Sequence, residues 1–587
     1  MKSLSNRGVV FVLFLLINLT LNSQNNSKKL DAVIQKYQDR EGYDKEQFPL
    51  GRFDEAYFLQ ENNFAKGLLH DLATIKPDSL SENDRISFKL LKFVLKNEVA
   101  TYDFKTYLNP IQADQGFHLN WNYLPKPIHS LKEAKSYLEK LKAIPYVTQS
   151  EIKLMRKGFE EKIMQPKIIF KGYESTYNQH LVATPEASDF YKPFEKLPDN
   201  LSYQTKDSLR MVAIEVIRDS VIPSFETIKS FFENEYFPKA RLKIGVNAEP
   251  NGEAFYQNRI NFYTTTSEYT PEDIHNLGLQ EVKRIREAME QIIKQTGFTG
   301  SFEDFLQFLR TDPQFYVKTG DDLLRYARDI CKRIDNQLPA YFKKLPRQPY
   351  GVIPVPEALA PKYTAGRYSG SPVTSTQAGH YLVNTYDLPS RGLYNLPALS
   401  AHESVPGHHL QIALNAELGD SIPKFRRNLY LSAYGEGWGL YAEYLADDMG
   451  VYRTPYEKFG QLTYEMWRAC RLVVDTGIHA MGWSRDEVVN YLKENTALSL
   501  HEISTETDRY IGWPGQAISY KMGELKIREL RKKAEKALGP AFDIREFHSV
   551  ILGYGTVTLP IMEELVDAYI TREKKVDYLR IRKVNNF

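Results

Sequence analysis

A chain of 587 residues is too long for one compact core, so two or three lobes are expected. Its 76 Lys+Arg against 74 Asp+Glu give a formal charge of +2, with no basic excess for nucleic acid and no polybasic block for an anionic membrane. The 2 Cys exclude a disulfide framework and a thiolate zinc site, and leave open whether Cys331 and Cys470 pair.

At the N-terminus, Lys2 and Arg7 precede an apolar run from Val9 to Leu21, broken by Asn18 and Thr20 and followed by Asn22-Ser23-Gln24-Asn25-Asn26. This reads as a signal peptide over 1–23, cleaved near Ser23, and sends the chain out as a secreted or periplasmic protein. The run is shorter than the roughly 20 apolar residues of a spanning helix, so no stable membrane insertion is expected after its removal. No Cys follows it, which argues against a lipid anchor.

Residues 24–240 read as an N-terminal helical lobe, with helices over Ser130 to Ile144 and Ser208 to Tyr236. Pro110, Pro125, Pro145 and Pro193 punctuate it. Around Leu242 to Asn247 the composition shifts, and residues 241–587 are assigned to a second, catalytic lobe. Arg259 to Thr266 reads as a short strand. Thr270-Pro271-Glu272-Asp273 then opens a helix running to about Thr296: Thr caps it, Pro suits its first position and acids fill the first turn. Residues 346–395 are rich in Pro and Gly and contain the β-prone run His380 to Tyr386; helical periodicity returns at Leu396 and holds to about Ala537. The expected fold is mainly α and two-lobed, with a small β-sheet beside the helix that carries the next motif.

That motif is His402-Glu403-Ser404-Val405-Pro406-Gly407-His408-His409. Hydrolytic zinc needs three protein ligands, an open position and a carboxylate to take a proton from water. The usual helical spacing puts the second His four residues after the first, but here position 406 is Pro. On an unbroken helix His408 would lie about 120° round from His402, and His409 about 10 Å along the axis. Pro406-Gly407 interrupts such a helix, and a bulge there brings His408 back towards His402. A third ligand is expected from a following helix, where Glu436 and Glu443 share a face; Glu443 would orient a ligand His. Gly435, Gly437 and Gly439 point to close approach of another backbone. His409 stays open as the alternative second ligand.

Ala401-His-Glu-Ser-Val-Pro-Gly-His-His-Leu-Gln411, Glu436-Gly-Trp-Gly-Leu-Tyr-Ala-Glu443, Asp475-Thr-Gly-Ile-His479 and Trp513-Pro-Gly-Gln-Ala-Ile-Ser-Tyr-Lys521 resemble, in this order, the motifs of the bacterial "domain of unknown function 885" proteins. That family is similar to gluzincin-type metallopeptidases, and dipeptidyl-peptidase III has a comparable motif with one extra residue and a Gly before its second His. The resemblance implies Zn²⁺ held by His402, His408 and Glu436, with Glu403 as general base.

Around this centre, His380 and Asn384 are candidate substrate contacts on an edge strand that would pair with a peptide. Tyr520 and His479 are candidate oxyanion donors. Arg471 or Lys521 would hold a substrate carboxylate. There is no Gly-x-Ser-x-Gly elbow and no phosphate-binding loop. The expected function is hydrolysis of short peptides by a secreted zinc peptidase. A zinc amidohydrolase acting on cell-wall fragments or acyl amides, or a non-catalytic peptide-binding protein, are the alternatives.

Overall fold

Short polar side chains start most of the helices. In the computed structural model, which describes residues 24–357 and 360–584, Asp54, Ser81 and Ser130 each accept a backbone N–H three residues on. They open α1 (Glu55–Ala73), α2 (Glu82–Asp103) and α3 (Leu131–Glu161). The expected signal segment lies outside the described residues. α3 starts where its Ser predicts but runs on through Pro145. Its buried stripe, including Leu138, Leu141, Val147, Ile152 and Met155, offsets the roughly 3 kcal/mol that an internal Pro costs. α4 (Tyr203–Val216) and α5 (Ile222–Phe231) are joined by a π-turn, Ile217–Val221, immediately before Pro223. The wider turn relieves the clash between the ring and the preceding turn.

Arg259 to Thr266 is not a strand: most of it belongs to α6 (Gly252–Tyr263). Its aromatic and branched residues favour β structure locally, yet Tyr256 and Ile260, four apart, are both buried on one helix face. α7 (Pro271–Thr296) follows with the full capping box, Thr270 and Asp273 bonded reciprocally. After α8 (Gly320–Tyr341) come β1 (Tyr350–Pro354), β2 (Gly366–Ser369) and β3 (Gly379–Val383). Their order is β1-β3-β2, with β3 parallel to β1 and antiparallel to β2. The strand expected at an edge is therefore the central one. The rest is helical: α9 (Leu396–Glu403), α10 (His408–Ala416), α11 (Ser432–Asp448), α12 (Pro455–His479), α13 (Leu500–Gly512), α14 (Ser519–Leu538) and α15 (Leu559–Val584).

Two large apolar cores organise these elements, and neither follows a cut at 240/241. One joins Leu68 and Leu91 of the first helices to Ile330, Leu399, Trp438, Ile527 and Val566. The other joins Leu141 and Phe225 to Ile285, Met466, Val473 and Tyr510. The second forms because α7 packs along α12, so closely that a Cβ on Gly278 would lie 2.8 Å from Leu472. Cys331 and Cys470 are buried as free thiols, one in each core. Among the described residues no helix is long and apolar enough to cross a membrane.

Candidate metal centre

α9 ends at Glu403 and α10 begins at His408, so the motif occupies two helices and the turn between them. Gly407 N–H donates to Ala401 O (3.0 Å), His409 N–H to Ser404 O (3.0 Å), and Trp438 Nε1–H to Pro406 O (2.8 Å). A Cβ at Gly407 would sit 1.9 Å from the His402 carbonyl oxygen and 2.5 Å from that of Ala401, so only glycine fits. The bulge absorbs the two surplus residues, and His408 takes the place that an unbroken helix would give to position 406.

The consequence is convergence. His402 Nε2 and His408 Nε2 each lie 3.5 Å from Glu436 Oε2. One ligand atom from each of His402, His408 and Glu436 falls within 4.8 Å of the others. Ligands at 2.0–2.1 Å on a tetrahedral ion are about 3.4 Å apart, so this two-His, one-carboxylate set has the donor types and the size of a metal site. His402 Nδ1–H donates to Glu443 Oε1 (2.7 Å), which turns the Nε2 lone pair inward; Arg468 lies 3.4 Å from the same oxygen. Tyr430 O–H donates to Glu436 Oε1 (2.8 Å), leaving Oε2 to face the histidines. Gly439 makes room for the His402 ring, which a Cβ would meet at 2.6 Å, and Gly437 lets the backbone at Gly523 of α14 approach.

The electrostatics favour a cation. Burial works against charge on Glu436, but His408 and His402 outweigh it and hold the carboxyl well below its usual range. Burial likewise opposes charge on His402, yet Glu436 and Glu443 raise it to about 9. Glu403, beside His402, accepts the Tyr368 N–H of β2 on Oε2 (2.7 Å). His409 is turned away: its Nδ1 meets Tyr368 Oη at 3.0 Å, its ring packs on Tyr350, and burial lowers it to about 4. His408, not His409, completes the cluster.

A family model described as "Bacterial protein of unknown function (DUF885)" matches residues 37–566. The chain belongs to the DUF885 family. A solved structure of a candidate lipoprotein from Colwellia psychrerythraea is 25% identical, with a TM-score of 0.83 and coverage of 94% of this chain and 99% of that one. A candidate lipoprotein of unknown function from Shewanella oneidensis shares the fold at 18% identity, TM-score 0.66, covering 93% of this chain and 99% of its own. No curated protein matches.

The remaining candidates divide sharply in this DUF885 chain. Tyr520 is near enough to the cluster to feel it: burial and the Glu436 carboxylate raise its phenol, and Arg471 lies 4.4 Å from the middle of its ring. Arg471 itself is internal. It stacks on Trp467 at 4.2 Å, donates to Tyr510 Oη (2.9 Å) and pairs with Glu506 (3.2 Å), so it backs Tyr520; its Nη1 is buried without a hydrogen-bond partner. Asn384 is fully buried, its amide donating to the Ala360, Tyr363 and Thr364 carbonyls and its oxygen accepting Tyr386 N–H; it pins the loop before β2. His380 lies on the central strand, opposite Gly351 of β1 and Ser369 of β2, so β3 has no free edge for a peptide; the outer edges of the sheet belong to β1 and β2.

Lys521 is also structural. Its buried ammonium lies 3.0 Å from Glu281, 2.9 Å from Glu465 and 2.9 Å from Glu524, an ion-pair cluster that ties α7, α12 and α14 together. Lys521→Met is expected to destabilise the chain by about 3–5 kcal/mol in chemical denaturation, because the partner carboxylates stay buried.

His479 is no oxyanion donor. Its Nε2–H donates to Tyr510 O (2.9 Å) and its Nδ1 accepts Val246 N–H (3.3 Å), while Asp475 holds Tyr256 and Gly515 instead. Burial lowers His479 to about 3. Its neutral form is required for folding, so its contribution is complete above an unfolded value of about 6.5 and falls by about 1.4 kcal/mol per pH unit below it. His479→Gln should therefore be less stable at pH 7 but lose about 2 kcal/mol less than the parent chain on going to pH 5, measured by urea unfolding.

Sequence reading missed Tyr430, Tyr368, Arg468 and Trp438. Nothing local marks one functional Tyr among 38, and each of the four acts on a partner brought near only by the fold.

Proposed function

We propose that this chain is a zinc-dependent peptidase of gluzincin type that hydrolyses short peptides outside the cytoplasm. The observation that carries the reading is the meeting of His402, His408 and Glu436 beside Glu403, with Glu443 orienting His402. Its position outside the cytoplasm is supported by the two solved relatives, both described as candidate lipoproteins.

Zinc, when bound, supplies a Lewis acid that polarises a carbonyl and acidifies water. Glu403 takes the proton of the attacking water and passes it to the leaving amine. Tyr368 N–H holds one Glu403 oxygen still, so the other is left for that transfer. Burial and Glu436 keep Tyr520 protonated, and it donates to the oxyanion. Tyr430 fixes Glu436 and, with 51% of its surface open, forms part of the wall a substrate meets.

A library of short peptides, acyl amides and cell-wall fragments incubated with zinc-loaded protein tests this. The expected result is cleavage of peptides. Cleavage confined to wall fragments or acyl amides would replace the peptidase with an amidohydrolase, and peptide binding without cleavage would leave a binding protein.

A further inference from the structure

A second site lies apart from the metal ligands. A cavity of about 240 Å³ opens between the segment after α2, helix α6 and the Trp513-Pro514 turn. Phe104, Phe255, Tyr263 and Trp513 give it aromatic walls, and Trp513 Nε1–H fixes Tyr263 by donating to its hydroxyl (2.6 Å).

Its charges are paired with one exception. Lys105 lies 2.8 Å from Glu161, Arg241 lies 3.2 Å from Glu249, and Asp103 lies 3.5 Å from Lys66. Arg259 has no carboxylate. Its guanidinium packs against Phe255 (5.5 Å) and Phe262 (5.3 Å), and its Nη2 donates to the neutral amides of Asn97 (2.9 Å) and Asn258. Nη1 has no hydrogen-bond partner among the described residues, and it is not one of the sealed-off atoms. Burial without a counter-charge pulls the Arg259 guanidinium below its ordinary value, which only the Tyr263 hydroxyl opposes. Two amides on the same wall, Asn109 and Gln112, have side-chain oxygens that are buried and unpartnered. The two ends of such an amide are interchangeable in shape, so each can present N–H to an acceptor.

We propose that this cavity binds a small monocarboxylate with an apolar or aromatic body, its carboxylate on Arg259 and its body against Phe255 and Trp513. One unpaired cation answers one negative charge. A phosphate dianion would bring a second charge against Asp103, Glu161 and Glu249 with nothing to neutralise it. The site does not depend on the peptidase reading, since none of the residues named here holds the metal or Glu403.

Calorimetric titration of the full chain with phenylacetate and with phenylacetamide tests it, before and after zinc is removed by chelation. Phenylacetate should bind at least about tenfold more tightly than the amide, because a hydrogen bond to a charged group is worth more than a neutral one. That preference should be unchanged by chelation and lost in Arg259→Met. Equal binding of acid and amide, absence of binding, or acid binding that disappears with the metal would each overturn the proposal. The comparison of acid with amide needs no variant, so a misfolded Arg259→Met chain does not remove the test.

Discussion

Glu403→Gln should keep its zinc and lose its turnover. The amide is nearly isosteric, and Glu403 is not among the three converging ligand residues. One change is electrostatic: glutamine cannot accept a proton from water. General-base catalysis is worth about 10²–10⁴-fold, so kcat on a cleaved peptide should fall by that factor with zinc content unchanged by metal analysis. Retained turnover would remove Glu403 as the base. Loss of zinc together with turnover would instead make it a support of the ligand set, through its bond to β2.

Gly407→Ala is expected to be severely damaging. The new methyl would lie 1.9 Å from the His402 carbonyl oxygen, and a backbone oxygen inside a helix cannot move aside as a side chain does. Overpacking costs about 1–3 kcal/mol where neighbours yield, and this position belongs at the upper end or beyond. The strain falls on the bulge that carries His408, so zinc affinity should drop with stability. Gly67→Ala is the control. Gly67 lies inside α1 with nothing within 4 Å of an added Cβ, and that substitution should stabilise by roughly 0.5–1 kcal/mol. If both glycines behave alike in thermal unfolding and zinc titration, the bulge is not what positions His408.

What the sequence made legible was local. The Thr270 cap and the end of its helix at Thr296 follow from neighbouring residues, and so does the break at Pro406-Gly407. The His–Glu set was legible too, because zinc chemistry allows few residue types and Glu436 follows His408 on the next long helix. Partner-dependent features were not. His479 and Lys521 have the residue types of a catalytic site, but their partners are Val246, 233 positions away, and Glu465, 56 positions away. Alternation predicts that His380 to Tyr386 contains a strand; it carries no information about which neighbours flank it, and β3 proved central. Pro145 shows the same limit from the other side: a local breaker was overridden by the face α3 buries.

The bulge at Pro406-Gly407 matters only if His408, and not His409, completes the metal centre. Zinc bound per chain, measured after dialysis for the parent protein, His408→Ala and His409→Gln, tests this most directly. The prediction is one zinc in the parent chain and in His409→Gln, whose His409 faces Tyr368 and Tyr350, and none in His408→Ala. A His408→Ala chain that keeps its zinc while His409→Gln loses it would contradict the geometry of the bulge and the mechanism built on it.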